Sequence, residues 1–317
     1  MGTDSLRQLT DVFTRRFVLN ALLPTLVFAT VCASVVVSTA WTMTSASAWW
    51  GRLDLLTRLL VIVAYLAGVY FLAAATASQW RGIVRLYEGY PLSRLARRLG
   101  GTAVGVRWHL ARLDELRGDE SPVMDPVRAY HRYPFPDHRD DVLPTRLGNI
   151  LLAGERYPLD RYRIDPIFFW PRLFPLLPES FQREYESFLI NYEFPLVVSF
   201  QSVVTAVVGA GAVLAWHGSV VLFLGMFVGG LLLAYAAYCA SLSSAEELAE
   251  QQRTAFDLYR DRLLDAWPTV ADVRDERDAF EEIYYFVVSN AEPNWEQPQS
   301  SHAERRREAE SDADSSG

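Results

Sequence analysis

Residues 195–241 read PLVVSFQSVVTAVVGAGAVLAWHGSVVLFLGMFVGGLLLAYAAYCAS, and the reading of this stretch decides the fold. It contains no Asp, Glu, Lys or Arg. Crossing the hydrocarbon core takes about 20 apolar residues at about 1.5 Å each, and the stretch supplies that length twice. The two runs, 195–216 and 219–241, are separated only by His217-Gly218, so they must return on each other as an antiparallel hairpin. Lipid offers no hydrogen-bond partner to an open backbone, so both are helices rather than strands.

The same pattern recurs upstream. Phe17–Trp41 and Leu59–Trp80 are also free of charge, which predicts spans at 17–41 and 57–80 joined by an outer loop at 42–56. The expected architecture is an all-α integral membrane protein with four spans in two hairpins. A helical cytoplasmic insert, 81–194, separates spans two and three; a cytoplasmic helical hairpin, 242–290, follows span four. Residues 1–16 form a cytoplasmic N-terminus and 291–317 an acidic tail without periodicity, expected to be disordered. TRRFVLN at 14–20 partly resembles a twin-arginine export signal. The apolar run after it is longer than a signal core, which favours a retained helix.

Orientation comes from arginine, since the chain contains no lysine. Arg7, Arg15 and Arg16 precede the first span, and seven arginines face Glu88 alone between Arg81 and Arg112. The 42–54 connection carries only Arg52. Excess arginine marks the cytoplasmic side, so both termini and the insert are expected inside a plasma membrane. Trp41, Trp49, Trp50 and Trp216 then fall at the outer boundary, where amphipathic rings prefer to sit. The net charge of −8 hides an acidic end: nineteen acids face eight arginines from Ser243 onward. Cys32 and Cys239 would sit at depths differing by roughly 20 Å, too far apart for a disulfide.

Within the spans, Thr205-x-x-x-Gly209, Gly225-x-x-x-Gly229 and Gly230-x-x-x-Ala234 place small residues one turn apart, a pattern that lets helices approach closely. Packing within the bundle is the favoured use, a subunit interface the other.

The insert opens with two arginine-rich helices, 93–99 and 102–117, broken at Gly100-Gly101, with Val106, Leu110 and Leu113 as an apolar stripe. The 81–112 arginines suit anionic lipid headgroups or simply orient the chain; without interleaved aromatics they do not suit nucleic acid. Residues 119–143 read as a loop. His131, Asp137, His138, Asp140 and Asp141 lie there, without the fixed helical spacing a metal needs. A helix is expected from Thr145 to about Glu155, ended by Gly154 and Pro158. Asp165-Pro166 then starts a proline-broken aromatic segment, 164–178, with Phe168, Phe169, Trp170 and Phe174. Its large rings need either a protein core or the membrane interface, and its closeness to span three favours the interface. Glu179–Tyr192 is an amphipathic lead-in helix. Ser243-x-x-Glu246 and Ser244-x-x-Glu247 are capping-box patterns for a helix reaching Trp267.

No metalloprotease, nucleophile-elbow, phosphate-loop or dinucleotide glycine motif occurs. No cofactor is implied. One low-order cluster could carry chemistry: Arg146, Asn149, Glu155, Arg156, Asp160 and Asp165, polar residues that are more often satisfied by each other than catalytic.

YEGYP at 87–91, PTRLGN at 144–149 and IDPIFFWPRLFPLLP at 164–178 resemble a family of prokaryotic four-span membrane proteins from GC-rich genomes. That resemblance implies location and supplies no chemistry. The layout is also similar to bestrophin-type anion channels, in topology alone. The function expected is an interaction or regulatory module built on four spans. A homo-oligomeric pore is the rival, and a membrane-associated enzyme acting through the polar cluster is the weaker alternative.

Overall fold

The computed structural model describes residues 15–41, 43–116, 124–134, 136–267 and 275–289. Of the described residues 88% are helical, and none lies in a strand. The helices, in chain order, are α1 Arg15–Ala40, α2 Met43–Arg52, α3 Leu55–Ser78, α4 Trp80–Tyr87, α5 Tyr90–Arg98, α6 Val104–Leu116, α7 Met124–Arg132, α8 Arg146–Tyr162, α9 Pro166–Leu173, α10 Glu179–Ala215, α11 Val220–Tyr259, α12 Asp261–Asp265 and α13 Glu276–Ser289. Four of them, α1, α3, α10 and α11, are long and apolar enough to cross a membrane. The described residues fall into two compact units, one within the bounds Met1–Pro91 and Ser187–Ser244, the other within Leu92–Glu186 and Ala245–Gly317.

In the first unit α10 is the enclosed helix: 61% of its apolar window is buried, against 22%, 11% and 11% for α1, α3 and α11. The cause is its side-chain size. Ser199, Ser202, Thr205, Ala206, Gly209, Ala210 and Val213 recur at three- and four-residue spacing and are all buried. A neighbour can therefore come close. A Cβ on Gly230 would stand 2.7 Å from that of Ala206, and one on Gly209 would meet the Met226 methyl at 2.4 Å. Polar ties fix the register: Ser199 Oγ donates to the Ala234 carbonyl at 2.7 Å, Gln201 Nε2 to Thr25 Oγ1 at 2.6 Å, and Thr30 meets Tyr65 at 2.7 Å. Of the small-residue pairs, Thr205, Gly209, Gly230 and Ala234 lie on the packed face. Gly225 and Gly229 do not; nothing stands within 4 Å of a Cβ added at either, so bundle packing does not explain them.

Near its start α1 contains a π turn, Val18–Leu22, in which the Leu23 N–H reaches back to the Val18 carbonyl. Pro24 follows at once and has no N–H to continue the ordinary ladder. One wide turn absorbs the mismatch. The spans also depart from their expected bounds. The lead-in helix and span three are one element, α10, because Pro195 keeps a helical φ and costs one donor without ending the helix. Ser243 and Ser244 cap nothing: α11 runs through them, and Ser243 Oγ bonds the Ala240 carbonyl at 3.1 Å.

The second unit has an aromatic core. Ile164, Phe169, Leu173 and Leu177 are buried with Ala255, Phe256, Leu263, Phe280 and Ile283. Asp165 caps α9 by accepting from the Ile167 N–H at 2.9 Å, with Pro166 first in the helix, as the Asp-Pro signal predicts. The segment 164–178, expected at the membrane interface, thus turns its inward rings to protein: Phe169 meets Phe280 edge-on at 5.5 Å, and Trp170 lies 5.9 Å from Phe256. Rings of this size bury most completely where several helices converge, and the chain supplies those helices from its far end.

Three local expectations in this unit are corrected. The 119–143 stretch is not a continuous loop, since it holds α7 and a 3₁₀ turn at Pro136–Asp141. The helix from Thr145 does not end at Gly154; it runs to Tyr162 with Pro158 inside. Gly154 is instead a contact point, where a Cβ would stand 2.8 Å from the Ala249 Cβ. After Tyr259 the chain continues in the short α12 rather than one helix to Trp267. The arginine-rich helices match α5 and α6, with Gly100 at φ +75 in the break and Leu113 buried. The expected tail at 291–317 and most of the 1–16 N-terminus lie outside the described residues.

Candidate functional site

Three helices of the second unit each present side chains at near-helical spacing to one cavity of about 550 Å³. From α6 come Trp108, His109, Arg112, Glu115 and Leu116; from α7, Arg128 and Arg132, with Tyr133 just beyond; from α8, Arg146 and Ile150. Residues three and four apart share a helix face, so these positions line one wall each. Two local devices hold the walls together. The Asn149 amide donates to the Leu143 carbonyl and accepts from the Leu143 N–H, both at 2.8 Å, clamping the turn before α8. Gly105 lies so close to the Pro144 carbonyl that a Cβ there would overlap it at 2.1 Å, which seats the start of α6 on that turn.

The cavity has an uncharged floor and a cationic rim. His109, Leu116, Tyr133 and Ile150 are buried, and His109 Nδ1 bonds the Tyr133 hydroxyl at 2.9 Å. Burial, and secondly the nearby Arg146 guanidinium, push the imidazole down to about 4, so it is neutral at physiological pH. The Tyr133 hydroxyl is raised by burial and pulled back by Arg112, Arg146 and Arg132. The positive charge is therefore all guanidinium and does not titrate. Among the described residues lining the cavity, four arginines face one carboxylate, Glu115. Glu115 pairs with Arg112 at 2.5 Å through half-exposed side chains, and Arg132 reaches Glu246 at 2.8 Å. The first pair is exposed and costs little to exchange for another anion; the second is part-buried.

The six polar residues singled out from sequence do not converge on this cavity. Arg146 alone lines it. Asn149 is the turn clamp, Arg156 pairs with Asp141 at 2.5 Å, Asp160 with His138 at 2.7 Å, and Asp165 caps α9. Glu155 still reaches solvent, yet desolvation raises its carboxyl above the ordinary range, against the opposing pull of Arg156. Of the loop residues considered for a metal, His131 pairs with Glu250 and His138 with Asp141, both at 3.6 Å. No group of three metal-ligating side chains occurs among the described residues.

A second polar cluster, in the first unit, was not anticipated. Glu193 is buried on α10 and accepts Arg16 Nε at 2.7 Å and the Asn20 amide at 3.0 Å; a second Arg16 nitrogen binds its other oxygen. Phe17, Ala21, Thr76, Ala77, Trp80 and Val197 complete the lining of a cavity of about 290 Å³ beside it. The available signal was Glu193 itself, an acid two residues before Pro195 at the mouth of a charge-free run. Comparison of the chain with protein-family models, with curated proteins and with solved structures finds no match.

Proposed function

We propose that the chain is a four-span integral membrane protein of the plasma membrane whose helical second unit acts as a cytoplasmic interaction or regulatory module. The observation that carries this reading is the division of labour between the units. One contains four apolar helices with large side chains turned outward, such as Phe71 and Leu232. The other has a buried aromatic core of its own and a preformed cationic cavity. Two hairpins with both termini inside fit the contacts of the first unit. Arg16 at the start of α1, Trp80 just past α3 and Glu193 on α10 line one cavity, while Thr39 near the end of α1 lies 3.2 Å from a Cβ built at Gly218. Trp41, Trp49 and Trp50 pack together near the same end, at 5.5 and 6.3 Å.

Cysteine labelling tests the topology. In a background with Cys32 and Cys239 replaced, a membrane-impermeant maleimide applied to intact cells is expected to modify Ser47→Cys and spare Thr102→Cys. Modification of 102 with silence at 47 would invert the arrangement and place the cationic cavity outside.

A second reading, the homo-oligomeric pore, is favoured by Gly225 and Gly229, which form an open, closely spaced groove on α11. The mass of the detergent-solubilised protein decides it. A strict monomer removes the pore, because a single bundle packed around α10 leaves no conduit.

A further inference from the structure

We infer that the cavity between α6, α7 and α8 is a binding site for a phosphate-bearing organic molecule, either a lipid headgroup or a soluble phosphate ester. This rests on reading the second unit as the binding module and names its ligand chemistry.

The argument begins with charge. Arg112, Arg128, Arg132 and Arg146 converge from three different helices on one concavity. Arg112 is paired with Glu115 and Arg132 with Glu246, yet the lining itself carries four guanidiniums and one carboxylate, so it attracts an anion. A planar guanidinium offers a fork of donors matched to phosphate oxygens, and several such forks bind one phosphate from different directions. The pairs Arg112–Glu115 and Arg132–Glu246 are both partly open to solvent, so an arriving phosphate can compete with the carboxylates.

Shape supplies the rest of the ligand class. A volume of about 550 Å³ is far more than a bare phosphate fills and lies in the range of small-molecule pockets. Trp108, Leu116 and Ile150 give the cavity apolar wall beside the arginines, so the phosphate should carry an organic part. The His109–Tyr133 pair fits the same picture: it keeps a neutral hydrogen-bonding group at the floor, able to meet a hydroxyl or ester oxygen.

The test uses the full chain in phosphatidylcholine nanodiscs. Glycerol 3-phosphate is titrated calorimetrically, and in parallel phosphatidic acid is added to the nanodiscs and its retention read by native mass spectrometry. One of the two should bind saturably. Arg146→Ala, and more so Arg128→Ala with Arg146→Ala, should weaken that binding by about tenfold or more, with Arg146→Lys intermediate. Binding should weaken with salt and strengthen as the phosphate takes its second charge above about pH 6. Arg97→Ala with Arg98→Ala on α5 removes equal charge away from the cavity and should change nothing.

Saturable, Arg146-dependent binding of the soluble ester alone identifies a soluble ligand. The same dependence for the lipid alone identifies a headgroup site. No saturable binding of either, or equal losses in the α5 control, overturns the proposal. Unchanged helicity and melting of the Arg146 variants, an exposed position, exclude unfolding as the cause. If the cysteine labelling stands while both titrations fail, the ligand class is wrong and the membrane-module reading survives.

Discussion

Phe169→Ala is expected to cost the second unit about 3–5 kcal/mol, the usual range for emptying a buried aromatic site. Phe169 has no exposed surface, and its ring is held edge-on between Phe168 at 4.7 Å and Phe280 at 5.5 Å. Phe280 comes from α13, so the loss should loosen α9 and α13 together. Hydrogen exchange is the measurement, with faster exchange in those helices and no change in α1 or α3. Ile167, two residues earlier, is 82% exposed, and Ile167→Ala should leave stability within about 0.5 kcal/mol. The pair separates a protein core from a lipid-facing segment. If Ile167→Ala weakened attachment to the bilayer while Phe169→Ala left exchange unchanged, the segment would be interfacial after all.

The second large effect concerns Glu193. Arg16→Ala leaves this carboxylate buried with only the Asn20 amide, and breaking a buried pair on one side costs about 3 kcal/mol or more. Removing both charges is far milder, because no uncompensated ion remains. The double variant Arg16→Leu with Glu193→Leu should therefore melt above Arg16→Ala in nanodiscs, although it carries more substitutions. Equal melting of the two would show that the pair is not coupled and that Glu193 has another counter-ion.

Much of the membrane part could be read from sequence because lipid imposes one strict rule. A run without charge for about 20 residues has few alternatives, and all four such runs became parts of long apolar helices. Element ends were harder. Ser243-x-x-Glu246 satisfies a capping pattern, but a pattern cannot reveal that the preceding helix has no reason to stop. Gly154 and Pro158 look like terminators until Ala249, from another helix, is seen to require the missing side chain. The cationic cavity was legible only as composition. Arg112 and Arg146 were noticed in separate contexts, and Arg128 and Arg132 in none, because what unites them is the packing of three helices. Arg16 and Glu193 stand 177 positions apart, and no local signal spans that distance. Asn149 belongs to the polar cluster named from sequence, but its partners are its own turn, so it shapes the site without facing it.

The π turn at Val18–Leu22 has a consequence for chain length. A regular helix drawn backward from Thr25 would put Phe17, not Arg16, opposite Glu193, since one surplus residue shifts the phase by about 100°. The surplus is what trades a phenyl ring for a guanidinium at that point. Losing one residue from this turn, Asn20 excepted, would restore the regular phase with Arg16 still in place, but would take away the wide turn that accommodates Pro24. Gaining one would carry Arg16 off the face altogether. The register of the first apolar helix is thus set at one defined turn, where Pro24 calls for the wide winding and Arg16 depends on it to reach Glu193.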